Sequence, residues 1–63
     1  MNEIDKQLIE KLVSVKKKEK FIKHVFCMLK TEEQKKQMIQ YIDFNDNLSE
    51  MDVMEKMLNI TLE

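Results

Sequence analysis

The sequence predicts an all-α fold, a compact bundle of three to four short antiparallel helices in one domain over residues 1–63. Apolar residues recur three and four positions apart, which is the period of an amphipathic helix and not the alternation of a strand. Residue pairs typical of helix N-termini divide this pattern into short segments. The chain has no Gly and no Pro, so helix ends must be inferred from caps and from shifts in apolar phase.

The first helix is predicted to begin near Asn2 or Glu3. Its apolar residues follow a helical spacing at Ile4, Leu8, Leu12 and Val15. Five polar residues, 16–20, then interrupt the stripe. We expect a break at about residues 15–18, with one long continuous helix as the alternative.

The second helix is predicted over about residues 17–30 and should be the most buried. Its apolar arc consists of Phe21, Ile22, Val25, Phe26, Met28 and Leu29. Thr31 and Gln34 then form a capping box that starts a third helix, which runs to about Phe44. The buried residues expected on the third helix are Met38, Ile39, Tyr41 and Ile42.

Residues 45–47, Asn-Asp-Asn, predict a turn, because such side chains bond to their own backbone and tolerate positive φ. Ser49 and Asp52 predict the N-terminus of a fourth helix, from Glu50 to about Ile60. Leu48 and Val53 have the spacing of a hydrophobic staple. The side chains expected to face inward are Met51, Val53, Met54, Met57, Leu58 and Ile60.

The composition indicates a protein that needs a partner. A 63-residue chain buries a small core, and 43% of its residues are hydrophobic. The single cysteine, Cys27, cannot form an intramolecular disulfide, so we expect a homodimer or a complex with another protein. The absence of Ala, Arg, Gly and Pro suggests an AT-rich bacterial or phage gene.

Charge is divided between the two halves of the sequence. Residues 1–30 carry eight Lys and four acids, whereas residues 31–63 carry three Lys and eight acids. These halves could pair within one chain, pair between copies or steer a charged partner, or they could simply be solvated surface. No signal peptide or membrane span is recognisable, so a cytoplasmic location with a reduced Cys27 is expected.

Catalysis is not expected. Cys27 and His24 lie three residues apart, with Lys23 nearby, and could in principle form an activated thiolate. No third orienting group or Gly-rich loop accompanies them, so a half-buried thiol beside a surface histidine is the preferred interpretation. One His and one Cys do not make a zinc site. We expect no catalytic residue, no cofactor and no metal.

A lysine cluster suggests nucleic-acid binding as an alternative function. It consists of Lys16, Lys17, Lys18, Lys20 and Lys23. Phe21 beside it could stack on a base, although its place in the apolar stripe favours the core. The pI of 5.8 and the lack of Arg argue against this function.

The segment QMIQYIDFNDNLSEMDVMEKMLNITLE resembles the first two helices of a winged helix-turn-helix domain, with its Tyr-Ile segment, polar turn, Ser cap and Leu-Asn-Ile-Thr ending. The resemblance covers less than half of the chain and stops where a recognition helix would begin. The fourth helix carries Glu50, Asp52 and Glu55 against Lys56, so phosphate would repel it. The resemblance therefore implies how two helices pack, and not DNA binding.

The leading functional hypothesis is a small regulator that binds a protein stoichiometrically, as an inhibitor, antitoxin-like partner or adaptor, with a phage or mobile-element origin. Methionine-rich faces adapt to partners, although methionines at helical spacing are also common core residues. Phe44 could be an exposed docking residue or a cover for the turn. The predicted partner-binding residues are Met51, Met54, Met57, Leu58 and Phe44.

Overall fold

The computed structural model describes residues 2–62 and contains four helices. They are α1 (Glu3–Val15), α2 (Glu19–Met28), α3 (Glu32–Asp43) and α4 (Glu50–Leu62). No strand occurs in this range. The principal extents are 26 × 25 × 22 Å. The predicted all-α bundle is confirmed.

The predicted break after the first helix is also confirmed. Helix α1 begins after Asn2, whose Oδ1 accepts a hydrogen bond from the Asp5 backbone N–H at 2.8 Å. It ends at Val15, because Lys16 adopts an extended conformation with φ −154° and ψ 121°. Residues 16–18 connect it to α2, which is shorter at both ends than the predicted 17–30 segment.

Two capping boxes begin α3 and α4, as predicted. Thr31 Oγ1 accepts from the Gln34 N–H at 3.1 Å, and Gln34 Oε1 accepts from the Thr31 N–H at 3.2 Å. Ser49 Oγ accepts from the Asp52 N–H at 3.1 Å, while the Ser49 N–H donates to Asp52 Oδ2 at 2.9 Å. The turn between α3 and α4 contains Asn47 at φ 60°, which confirms the predicted left-handed position.

All four helices contribute to one hydrophobic core. Its buried residues are Leu8, Leu12, Phe21, Val25, Leu29, Met38, Ile39, Ile42, Val53, Met57 and Ile60. Helix α1 packs most extensively against α3, and α4 packs against both α3 and α2. The expected burial of Met28 is wrong, since 38% of it is exposed at the end of α2. Leu29, one residue beyond that helix, is fully buried.

The oppositely charged halves of the sequence meet within one chain. The Lys11 ammonium on α1 pairs with the Asp43 carboxylate at the end of α3. Lys18, before α2, lies 3.7 Å from the Glu50 carboxylate at the start of α4. These pairs join lysines of residues 1–30 to acids of residues 31–62.

Candidate protein-binding surface

Helix α4 has two apolar faces, and only one of them lies in the core. Val53, Met57 and Ile60 are at most 3% exposed and lie within an arc of about 60° when placed at about 100° per residue. A second set occupies an arc of about 80° centred some 130° away. We call this second set the outer stripe, and its residues are Met51, Met54, Leu58 and Leu62.

The outer stripe is largely accessible to solvent. Met51 is 70% exposed, Leu58 is 52% exposed and Leu62 is 82% exposed, while Met54 is half-buried at the edge of the core. The expected inward orientation of Met51 and Leu58 is therefore wrong. The apolar residues of α4 span a wider arc than one face can bury against α2 and α3, so part of the set faces outward.

Met57 lies in the core and not on this surface. Its side chain is 2% exposed and belongs to the buried cluster with Val53 and Ile60. Of the five predicted partner-binding residues, the structure brings Met51, Met54 and Leu58 together on the outer stripe. Met57 supports that surface from below by holding α4 against the bundle.

A groove of about 650 Å³ adjoins the first turns of the outer stripe. Its lining residues are Val15, Lys16, Ser49, Glu50, Met51 and Met54. The groove forms because the chain turns away from α1 at Lys16, which leaves the end of α1 beside the start of α4. Val15, Met51 and Met54 make its surface mainly apolar.

The cap of α4 holds this edge of the groove in place. The Ser49 backbone N–H donates a hydrogen bond to the Asp52 carboxylate, and this bond lowers the pKa of Asp52 below its ordinary value of 3.8. Because the charged carboxylate is the better acceptor, the cap is strongest when Asp52 is ionised. Ionised Asp52 also interacts favourably with the positive end of the α4 dipole.

Phe44 lies on a different side of the molecule. It is 85% exposed at the end of α3, so it does not cover the turn that follows. It lines a separate shallow groove of about 290 Å³ with Tyr41 and Lys56, whose ammonium lies 5.3 Å from the Tyr41 ring centroid. Lys56 is about 160° from the centre of the outer stripe around α4, so Phe44 does not extend that stripe.

The lysine cluster is partly neutralised by acids. Lys18 pairs with Glu50, and Lys23 lies 2.9 Å from the Glu19 carboxylate. The hydrogen bond between Lys23 and Glu19 raises the pKa of Lys23 and lowers the pKa of Glu19.

Among residues 2–62, Lys16, Lys17 and Lys20 have no ion-pair partner. Phe21 is 3% exposed and so is not available to stack on a base.

The remaining candidate chemistry is sparse in the described part of the chain. Cys27 is a free, exposed thiol, so the expectation that it is half-buried is wrong, and His24 three residues before it is exposed as expected. Between residues 2 and 62, no three His, Cys, Asp or Glu side chains are gathered as they would be around a metal ion. None of the four described helices has the length and apolar character needed to cross a bilayer.

No protein-family model, curated protein or solved structure shows significant similarity to the chain.

Proposed function

We propose that the protein is a small non-catalytic regulator that binds another protein stoichiometrically through the outer stripe of α4. An inhibitor, an antitoxin-like partner and an adaptor all fit this description, and the composition fits a phage or mobile-element gene. The observation that carries the proposal is the exposure of Met51, Leu58 and Leu62 on a single face of one helix. The proposal includes a cytoplasmic location, where the exposed Cys27 thiol stays reduced.

The physical basis is the cost of leaving this face in water. Scattered exposed apolar residues are normal, but a contiguous apolar patch on a small domain commonly marks an interaction site. Burying one such side chain contributes about 1.5–3 kcal/mol. Three of them, together with the groove beside Met54, form an apolar surface of the kind found at the centre of protein interfaces.

Methionine suits this role because its side chain is flexible and polarizable. Met51 and Met54 can adjust their rotamers to different partner surfaces, whereas a branched side chain presents a fixed shape. The core residues on the other face of α4 keep the backbone of the stripe rigid while its side chains adapt.

Protein binding is preferred over nucleic-acid binding for two reasons. Two of the five clustered lysines already pair with acids, and the neighbouring Phe21 is buried. Three lysines of the cluster remain to contact phosphates. Because the electrostatic affinity for nucleic acid grows with the number of phosphates neutralised, three contacts are too few for a strong interaction.

A nuclease-treated pull-down from the lysate of a low-GC bacterium tests the proposal. The tagged protein is compared with the double variant Met51→Asp/Leu58→Asp, and bound proteins are identified by mass spectrometry. Asn59→Asp is the matched control, because it adds a negative charge to the exposed surface of α4 about 60° from Leu62.

We expect a stoichiometric protein to be retained by the wild-type protein and by Asn59→Asp, and to be lost from the double variant. Equal capture by all three proteins contradicts the proposed surface. Capture that disappears with nuclease treatment supports the lysine cluster instead, and recovery of the protein alone supports self-assembly.

A further inference from the structure

The charges beside the outer stripe bear on the chemistry of the partner. Glu55 is exposed and lies about 40° from Met51 on one flank of the stripe. Glu50 lies about 40° beyond Met54 on the other flank. The only lysine of α4, Lys56, is on the far side of the helix above the Tyr41 ring. The apolar stripe is therefore bordered by acids on both sides, of which Glu50 pairs with Lys18 and Glu55 has no ion-pair partner among residues 2–62.

A second copy of this chain fits the stripe poorly. The midpoint of the stripe falls between residues 56 and 57, so an antiparallel α4 pair would place the two Glu55 side chains on the same flank near the dyad. Like charges at that distance repel each other. A contact about 16 Å long and one helix wide also falls well short of the roughly 800 Å² that each partner buries in a standard interface.

A longer helix from another protein can bury more area than a second α4. Such a helix can follow the stripe from Leu62 towards Met51 and continue into the groove between Met54 and Val15. The stripe has the i, i+3, i+7 spacing of a coiled-coil seam, which a partner helix with the same spacing can match.

The groove end of this path is lined by two charged residues, Lys16 and Glu50. Lys16 lines the groove and has no acid partner among residues 2–62, whereas Lys18 is paired with Glu50. The carboxyl end of a helix carries a partial negative charge, so it is the end favoured beside Lys16. A helix placed in this way runs antiparallel to α4.

We infer that the outer stripe receives an amphipathic helix of a different protein, with Lys or Arg flanking its apolar seam and its carboxyl end beside Lys16. This inference rests on the proposed function and names the chemistry of the partner. A residue opposite Glu55 is basic because a basic residue there forms an ion pair, while an acid is repelled.

Two synthetic peptides of about five helical turns test the inference. Both carry the same leucine seam, but the flanking positions are lysine in one peptide and glutamate in the other. Each is titrated into the full-length ¹⁵N-labelled protein, with fluorescence anisotropy for affinity and amide shifts for location. A paramagnetic label at the carboxyl end of the lysine peptide reports its direction.

We expect the lysine peptide to shift the amides of Met51, Leu58 and Leu62 and to bind at least about fivefold more tightly than the glutamate peptide at low salt. High salt should reduce this difference. Glu55→Gln should also reduce the difference in affinity between the two peptides. Glu10→Gln, which removes an exposed acid from α1, should leave that difference unchanged. The paramagnetic label should broaden the amide signals of Lys16 and Val15.

Equal binding of both peptides at the stripe overturns the partner chemistry but leaves the protein-binding function standing. Binding of neither peptide to the stripe also overturns this inference, and the pull-down with Met51→Asp/Leu58→Asp then decides the function separately. If the paramagnetic label broadens amide signals near Leu62, the proposed antiparallel direction of the bound helix is overturned. A concentration-dependent dimer in light scattering that Met51→Asp abolishes assigns the stripe to a second copy instead.

Discussion

The Lys35 ammonium lies 2.7 Å from the Asp5 carboxylate, and this ion pair joins α3 to α1 across 30 residues of sequence. Both side chains are less than one-fifth exposed. The same ammonium lies 4.7 Å from the centroid of the Phe26 ring on α2. One cation thus interacts with two other helices at a single junction.

Replacing Lys35 should expose the energetic role of this junction. In Lys35→Met the aliphatic stem remains, but the partly buried Asp5 carboxylate loses its partner, so we expect the free energy of unfolding to fall by about 1–3 kcal/mol. Urea denaturation followed by circular dichroism measures the change. Lys36→Met, on the exposed neighbour, should stay within about 0.5 kcal/mol of wild type. Adding Asp5→Asn to Lys35→Met should recover part of the loss, and an additive double mutant would contradict the pairing.

An aspartate should destabilise the protein strongly on the core face of α4 and only weakly on the outer stripe. Met57→Asp places a carboxylate in the core at a cost of several kcal/mol, against a total stability of about 3–9 kcal/mol for a domain of this length. We expect its cooperative thermal transition to disappear. Met51→Asp should keep the wild-type midpoint to within a few degrees, because its side chain is already in water. Equal losses in both variants would show that Met51 is packed.

The turn between α3 and α4 depends on a residue that accepts positive φ. Asn47→Ala should lower the free energy of unfolding by about 1 kcal/mol, because alanine is more strained at φ 60° than asparagine, which is enriched in the left-handed region. Asn47→Gly should be neutral or stabilising, since glycine has no such strain. Asp46→Ala, at the neighbouring position with ordinary φ, serves as the control. Chemical denaturation of the three variants distinguishes backbone strain from loss of a side-chain contact.

Acid should weaken the α4 cap. The pKa of Asp52 is lowered in the folded protein, so its contribution is complete above the unfolded value of 3.8 and is lost as the pH falls through the lower folded value. Asp52→Asn keeps an oxygen that can accept from the Ser49 N–H but carries no charge. We therefore expect wild type to lose more stability than Asp52→Asn between about pH 5 and pH 3. Identical pH profiles in denaturant titrations would contradict the role of the charged cap.

Local signals in the sequence were sufficient to predict the helices. The capping pairs that begin α3 and α4 and the left-handed Asn47 depend on residues within three positions of one another, so they can be recognised without tertiary structure. The interruption of the apolar stripe by residues 16–20 predicts a break at about residues 15–18, and the observed connection is residues 16–18. Helix α2 ends two residues before the predicted residue 30, because Leu29 is buried and extends the apolar pattern beyond the helix.

The sequence pattern alone could not show which apolar residues of α4 face the core and which face solvent. Met51 and Leu58 have the same spacing as buried residues, and only the positions of α2 and α3 decide which arc of the helix is covered. The Lys35–Asp5 pair likewise could not be predicted from the sequence pattern, because its members are 30 residues apart and meet only when α1 and α3 pack together. The groove beside Met54 likewise requires the end of α1 to lie near the start of α4.

The four described helices differ in whether a side chain caps their first turn, and this difference predicts where amide exchange begins. Asn2, Thr31 and Ser49 each bond a backbone amide at the start of α1, α3 and α4, whereas Lys18 offers no side-chain bond at the start of α2. Unbonded amides at a helix end exchange their hydrogens with solvent readily. Amide exchange should therefore begin at the first turn of α2 and the neighbouring connection. Because Lys16 in that connection lines the groove, this backbone adjoins the surface where a partner is proposed to bind, and a bound partner should slow its amide exchange.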